Sequence, residues 1–344
     1  DIDSLPVERL KNAGAISLGK TNTPEFGAGS QTFNALFGAT LNPYDLSKTC
    51  GGSSGGGAVA LATGMVALAD GTDLAGSLRN PANFCNLVGM RPSVGRVPSW
   101  PEQLGWYTMS VAGPMARTVE DLALAMSVMS GPDDRSPIAI DTPGSIFTAP
   151  LQRNFKACRI AYSEDLGGLP VEPEVLKVMQ ASRAVFESLG CEVVNDEIDL
   201  AEAGEIFMLW RAWRTELRIA PLLKDHKDQL KDTVIWNAEQ GLDLTGPQLA
   251  RAEAKRTEIY HRMRAFMSRY EYFVLPVNQV LPFSVDLDYP REINGVKMNT
   301  YIDWQKTAYF ISAMGNPAIS VPAGFTDSGL PVGVQIVGGH RQDF

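Results

Sequence analysis

Apolar positions across residues 154–276 follow two rhythms, short unbroken runs and stripes at helical spacing. Arg159-Ile160-Ala161-Tyr162, Cys191-Glu192-Val193-Val194 and Tyr272-Phe273-Val274-Leu275-Pro276 predict strands, and the alternating Val332-Gly333-Val334-Gln335-Ile336-Val337 predicts another. Residues 173–189 predict a helix with Val175, Val178, Met179, Val185 and Phe186 on its apolar side. Residues 202–223 and 245–270 predict two longer amphipathic helices joined by a polar stretch. Strands alternating with helices favour a sheet covered on both faces.

The first third is less regular. Residues 6–12 predict a short helix closed by Gly14, and Ala15-Ile16-Ser17-Leu18-Gly19 a strand entering the polar turn Lys20-Thr21-Asn22-Thr23-Pro24. Thr118 stands as N-cap with an acid three residues on, Val119, Leu122, Met126 and Met129 line one face, and Gly131-Pro132 ends that helix. The methionines read as core filler. Residues 84–97, rich in Gly and Pro, predict short strands through the core. No internal repeat or interdomain linker interrupts the chain.

Composition narrows the class. Of 344 residues, 44% are apolar and 20% charged, enough for a sizeable core. A net charge of -9 and the lack of clustered Lys and Arg argue against nucleic acid as a partner. The four cysteines form no CxxC pair and have no neighbouring histidine, so they read as reduced thiols in a cytoplasmic protein without a metal site. The apolar segment 58–69 is shorter than the roughly 20 residues that span a bilayer.

Candidate chemistry concentrates in two glycine-dense turns, Cys50-Gly51-Gly52-Ser53-Ser54-Gly55-Gly56-Gly57 and Gly71-Thr72-Asp73-Leu74-Ala75-Gly76-Ser77. Glycine lets the backbone approach another group closely, so N–H groups can converge beside a hydroxyl, as acyl transfer needs. A flexible linker does not fit, because the first run leads into Ala58-Val59-Ala60-Leu61-Ala62, apolar on all sides and hence a buried helix. A P-loop does not fit, for no Gly-Lys-Ser/Thr follows. Gly52-Ser53-Ser54-Gly55-Gly56 satisfies the nucleophile-elbow pattern with Ser54 as nucleophile. That fold wants an apolar strand where Asp45-Leu46-Ser47-Lys48-Thr49 stands, and a histidine base. Of His226, His261 and His340, two fall on charged helical segments, which leaves His340.

Serine chemistry can also use a neutral lysine. Gly51 to Gly56, the second turn through Leu78-Arg79, Pro81-Ala82-Asn83-Phe84-Cys85 and Gly89-Met90-Arg91-Pro92-Ser93-Val94-Gly95-Arg96-Val97 together resemble the amidase signature family. The likeness includes Gly19-Lys20-Thr21-Asn22-Thr23-Pro24-Glu25-Phe26 upstream, and Gly113-Pro114-Met115-Ala116-Arg117-Thr118 and Gly329-Leu330-Pro331-Val332-Gly333-Val334-Gln335-Ile336-Val337-Gly338 downstream. The resemblance implies an α/β/α sandwich around a large mixed β-sheet, and hydrolysis of a carboxamide through a Ser–cis-Ser–Lys triad. Carried over by position, Ser77 is the acylated nucleophile and Ser53 the bridging serine in a cis peptide. The N–H groups of Leu74, Ala75, Gly76 and Ser77 form the oxyanion hole, and Thr72, Asp73, Arg79 and Ser54 support the turns. By analogy the acyl pocket is shaped by residues 141–288 and 301–316, with Tyr301 and Trp304 as lining residues whose alternative reading is helix packing. No metal or organic cofactor is implied. The partners expected are a small-molecule amide and, at most, a second copy of the chain.

Three departures from the family pattern stand out. Ala75 occupies a usual glycine and Gly57 a common serine. The family lysine belongs to a motif upstream of Gly19, where this chain has none; Lys20 matches another position, Lys11 falls on a surface helix, and Lys48 would have to fold back. The expectation is therefore a single amidase domain over residues 1–344 truncated at both ends, with a signature core at 1–140, a variable helical region at 141–288 and a return to the core at 289–344. Two other functions share these motifs, an amidotransferase A-type subunit working in a complex and a catalytically impaired amidase-like binding protein.

Overall fold

Eight strands build the central sheet: β1 (Leu68–Asp73), β2 (Val88–Arg91), β3 (Val111–Ala116), β4 (Arg159–Tyr162), β5 (Glu192–Asn195), β6 (Tyr272–Pro276), β7 (Ala318–Phe325) and β8 (Pro331–Val337). Their order is β1-β3-β2-β7-β8-β6-β4-β5. Neighbours from β1 to β6 run antiparallel, whereas β6-β4 and β4-β5 are parallel, so the sheet is mixed. The structure is a computed structural model and describes residues 2–344; Asp1, the first residue of the expected domain, lies outside them.

Nine α-helices occur among the described residues: α1 (Leu5–Asn12), α2 (Gly55–Ala62), α3 (Arg79–Phe84), α4 (Val119–Met129), α5 (Pro173–Ser188), α6 (Ala203–His226), α7 (Asp232–Leu242), α8 (Gly246–Met267) and α9 (Lys306–Met314). Alternation along single strands sorts them into layers, since successive side chains leave a strand on opposite faces. On β6, Phe273 and Leu275 join Phe207 of α6, Ile259 and Met263 of α8 and Tyr309 of α9 in one core. Val274 points the other way, into a core with Val175, Val178 and Met179 of α5 and Val332 and Val334 of β8. The expected α/β/α arrangement is present.

Local chemistry sets several helix ends. The Thr118 hydroxyl accepts the Asp121 N–H at the start of α4, and Thr245 with Gln248 closes a capping box on α8. Gly315, at φ 76°, ends α9 in the left-handed region.

Several expectations require correction. Residues 15–19 form no strand: Ile16 and Leu18 are 85% and 73% exposed, and no neighbouring strand pairs with them. The second glycine segment is only half a turn, because Gly71, Thr72 and Asp73 belong to β1 and pair with Gly113, Ala112 and Val111 of β3. The polar stretch between the two long helices contains α7, whose Val234 and Ala238 bury against Ile219 of α6. Residues 45–49 do form a strand, but it pairs with Leu41–Asn42 outside the central sheet. Val119 and Val185 point to solvent, although Leu122, Met126, Met129, Val175 and Met179 are buried as expected. Strands β3 and β7 escaped the pattern because Pro114, Pro322 and Gly324 break it; the pairing of β7 with β8 shifts register between Pro322 and Gly324.

Candidate active site

Strand β1 ends at Asp73, and residues 74–78 turn the chain into α3. The Asp73 carboxylate, fully buried, is the template of that turn. Oδ1 accepts the Gly76 N–H at 3.1 Å, and Oδ2 accepts the Leu78 N–H at 3.3 Å. Arg79 grips it with two donors, Nε to Oδ2 at 3.0 Å and Nη2 to Oδ1 at 2.8 Å. Arg91 Nη1 reaches Oδ1 at 3.3 Å and the Asp73 carbonyl at 2.6 Å. Burial alone would raise the Asp73 pKa; the charge and hydrogen bonds of Arg79, the Arg91 charge and the Leu78 N–H outweigh it and hold the group well below its ordinary value. The guanidiniums are anchored in turn: Arg79 donates to the Ala308 carbonyl, the Ser312 hydroxyl and Gln335 Oε1, and Arg91 to the Met109 and Ser312 carbonyls. Gly76 sits at φ 107°, where a Cβ would lie 2.8 Å from that of Ala308, so only glycine fits between turn and α9.

The first turn is clamped onto the second. The Ser54 N–H donates to the Ser77 carbonyl at 3.2 Å. Asn80 Nδ2 donates to the Gly52 and Ser30 carbonyls at 3.0 Å each, and Asn278 Nδ2 donates to Asn80 Oδ1 at 2.9 Å. Thr32 Oγ1 donates to the Gly51 carbonyl at 2.9 Å and accepts the Gly55 N–H at 3.1 Å. The Gly52–Ser53 peptide is cis. Gly52 lies against the Gln31 backbone, where a Cβ would stand 2.9 Å from the nearest atom, so the turn tolerates no side chain there.

A cleft open to solvent at its mouth lies beside these turns. It is lined by Ala28, Gly29 and Ser30, by Leu74, Ala75 and Ser77, by Arg211, Arg214 and Arg218 of α6, by Asn237 of α7, and by Tyr301 and Gln305. Ser77 is half-buried and opens into it, whereas Ser53 is buried at 7% exposure. The N–H groups of Leu74, Ala75 and Ser77 have no acceptor among the described residues. That of Gly76 is directed at Asp73 instead, a departure from the donor set the resemblance implied.

The remaining candidate residues separate. The Ser54 side chain packs under β1, where a Cβ at Gly71 would lie 2.4 Å from Ser54 Oγ, and it does not line the cleft. Thr72 is exposed and lines a neighbouring hollow. Tyr301 lines the cleft, but Trp304, three residues on, is fully buried between Phe84 and Phe283 and packs the core. His340 packs edge-on to Tyr260 of α8. Lys11 pairs with Asp3, Lys20 is exposed, and none of Lys11, Lys20 and Lys48 is hydrogen-bonded to Ser53 among the described residues. Lys231, whose pKa burial lowers, holds its Nζ 3.9 Å from the Phe33 ring centre. Sequence reasoning missed Ser30, Thr32, Asn80 and Asn278, which clamp the Ser53 turn. Asn80 alone carried a signal, adjoining Arg79 within the glycine-turn motif.

A model of the Amidase family matches residues 1–344. The acylamidase of Rhodococcus erythropolis is 36% identical over 346 residues, covering 99% of this chain and 72% of that protein. The A-type subunit of the glutamyl-tRNA(Gln) amidotransferase of Pseudomonas savastanoi pv. phaseolicola is 33% identical over 368 residues, covering 99% of this chain and 74% of that one. The crystal structure of a bacterial aryl acylamidase of the amidase signature enzymes superimposes with a TM-score of 0.92 at 29% identity, over 99% of this chain and 73% of the other.

Proposed function

This chain belongs to the amidase signature family and is a hydrolase acting on amides; from that premise we propose that Ser77 is its nucleophile and that the reaction passes through an acyl-enzyme. Ser77 Oγ attacks the carboxamide carbon, and its proton leaves through the Ser53 hydroxyl toward a base. The negative charge that develops on the carbonyl oxygen is received by the Leu74, Ala75 and Ser77 N–H groups, while Asp73 holds Gly76 and so fixes the direction of its neighbours. The C–N bond then breaks, and ammonia or an amine departs with the returned proton. Water attacks the Ser77 ester and releases the acid, which restores the serine. In the family pattern the base is a lysine from a motif that precedes Gly19.

One observation carries this reading. Ser77 alone of the three turn serines lines the cleft, on a turn whose Leu74, Ala75 and Ser77 N–H groups have no acceptor among the described residues and whose backbone is fixed by a buried ion pair. The test is amine or ammonia release from a panel of simple amides and anilides. Ser77→Ala is expected to remove turnover by a factor of 10³ or more, on the order of a lost nucleophile, and Ser54→Ala to leave most of it. Equal turnover by wild type and Ser77→Ala rejects the assignment. The similarity to A-type amidotransferase proteins supports a second reading, in which the ammonia passes to a partner. Release of free ammonia or amine by this protein alone decides for the first.

A further inference from the structure

The cleft beside Ser77 is lined by three guanidiniums and by no acid. Arg211, Arg214 and Arg218 stand three and four residues apart and so share one face of α6. In a chain of net charge -9 this is a concentrated positive lining. Arg218 sits exposed at the mouth, and Arg214 reaches Glu102 only at 3.5 Å. Arg211 is the inner member, 4% exposed, with its guanidinium carbon 5.1 Å from the Trp236 ring centre and 5.6 Å from that of Tyr301.

Arg211 has only one of its three nitrogens satisfied. Nη1 donates to the Tyr301 hydroxyl at 2.9 Å, whereas Nε and Nη2 are buried without any acceptor among the described residues. A buried guanidinium edge left bare is costly, and native structures seldom leave one without cause. Nε and Nη2 form one edge of the planar fork, the edge whose paired N–H groups match the two oxygens of a carboxylate. Gln305 Nε2, on the same lining, is a further buried donor without an acceptor. The Tyr301 hydrogen bond and the two ring contacts hold the guanidinium in place, so the site is organised before anything binds.

We propose that this edge receives a carboxylate carried by the substrate, so that the protein acts on amides bearing an anionic group. The inference rests on Ser77 as the nucleophile facing the same cleft, and it adds the substrate class. Gln305 would donate to the same anion, and Arg214 and Arg218 would draw it in through the mouth.

Binding can be measured apart from turnover, by calorimetry on the Ser77→Ala protein with two pairs of probes. Glutaric acid monoanilide against valeranilide places the carboxylate in the acyl part; 4-acetamidobenzoate against 4-methylacetanilide places it in the amine part. One carboxylate probe is expected to bind about tenfold or more tightly than its neutral partner, the effect of a charge-assisted pair. The arm that shows this tells which half of the substrate meets Arg211. Arg211→Gln should cut the preference to within about threefold. If that variant does not fold, the exposed Arg218→Gln should still reduce it measurably. Equal affinities within both pairs, or a preference that survives Arg211→Gln in a folded protein, overturns the proposal. Ser77 reactivity toward a fluorophosphonate, read in parallel on wild type, separates the two claims. Labelled Ser77 with no carboxylate preference rejects only the substrate class. A carboxylate preference that depends on Arg211, with Ser77 unreactive, upholds the anion site and rejects the nucleophile.

Discussion

Replacing Asp73 by Asn keeps the shape of the side chain and removes its charge from between two buried arginines. Arg79 and Arg91 are both fully buried, and their contacts to the carboxylate lie at 2.8 to 3.3 Å. Removing one partner from a buried ion pair costs about 3–5 kcal/mol, because the charges left behind have no compensation. That is a large part of the roughly 5–15 kcal/mol that keeps a domain folded. The pH dependence has a definite sign. The folded Asp73 titrates well below its ordinary value, so its contribution is complete above the unfolded value of about 3.9 and is lost as pH falls toward the folded one. At pH 3 the unfolded carboxyl has taken up most of a proton and the folded one has not. The advantage of wild type over Asp73→Asn should therefore be about 1.3 kcal/mol smaller at pH 3 than at pH 7, and unchanged between pH 7 and pH 5. Urea unfolding of both proteins at the three pH values, followed by tryptophan fluorescence, gives the differences directly. A loss under about 1 kcal/mol at pH 7, or no convergence between pH 5 and pH 3, refutes the claim that Asp73 is an ionised template for the Ser77 turn.

Other substitutions probe neighbouring parts of the site. Gly76→Ala forces a side chain into a φ of 107° and against Ala308, and should cost about 2–4 kcal/mol in urea unfolding together with most of the turnover; wild-type activity would contradict the turn geometry. Thr32→Val leaves the buried Gly55 N–H without an acceptor and the Gly51 carbonyl with only the weak Cys50 thiol donor, and about 2–4 kcal/mol of destabilisation is expected, with faster hydrogen exchange at the Gly55 amide. Burial pushes the Cys50 thiol up to about 12 and raises Cys85 well above its ordinary value. Neither should react with iodoacetamide at pH 8 in the native protein, and both should react in urea; mass spectrometry of the alkylated peptides decides.

The layered fold was legible where burial imposes a period. Residues 159–162 and 272–276 are strands with the expected bounds, and α5 starts at the expected proline. Strand β1 was not legible, because Gly71, Thr72 and Asp73 carry no apolar alternation; they are held by pairing with β3 and by the arginines beneath them. Residues 15–19 show the converse, an apolar run with no surface to bury against. The motif placed Ser53 and Ser77 in adjacent turns but could not reveal that Asn80 and Thr32 join the first turn to the rest, since those contacts span 19 to 28 positions. Tyr301 and Trp304 looked alike in sequence; a 3-10 turn sends one to the cleft and the other into an aromatic stack. Residues 202–223 read only as an amphipathic helix, and the packing of α7 and Tyr301 over it is what buries Arg211.

The most direct test of the account is covalent. A fluorophosphonate reacts with a serine that is both activated and accessible, and peptide mapping of the adduct identifies which one. One adduct per chain on Ser77 is predicted, absent in Ser77→Ala and slowed at least tenfold in Ser53→Ala, where the relay hydroxyl is missing. An adduct on Ser54, or labelling that persists in Ser77→Ala, would contradict it.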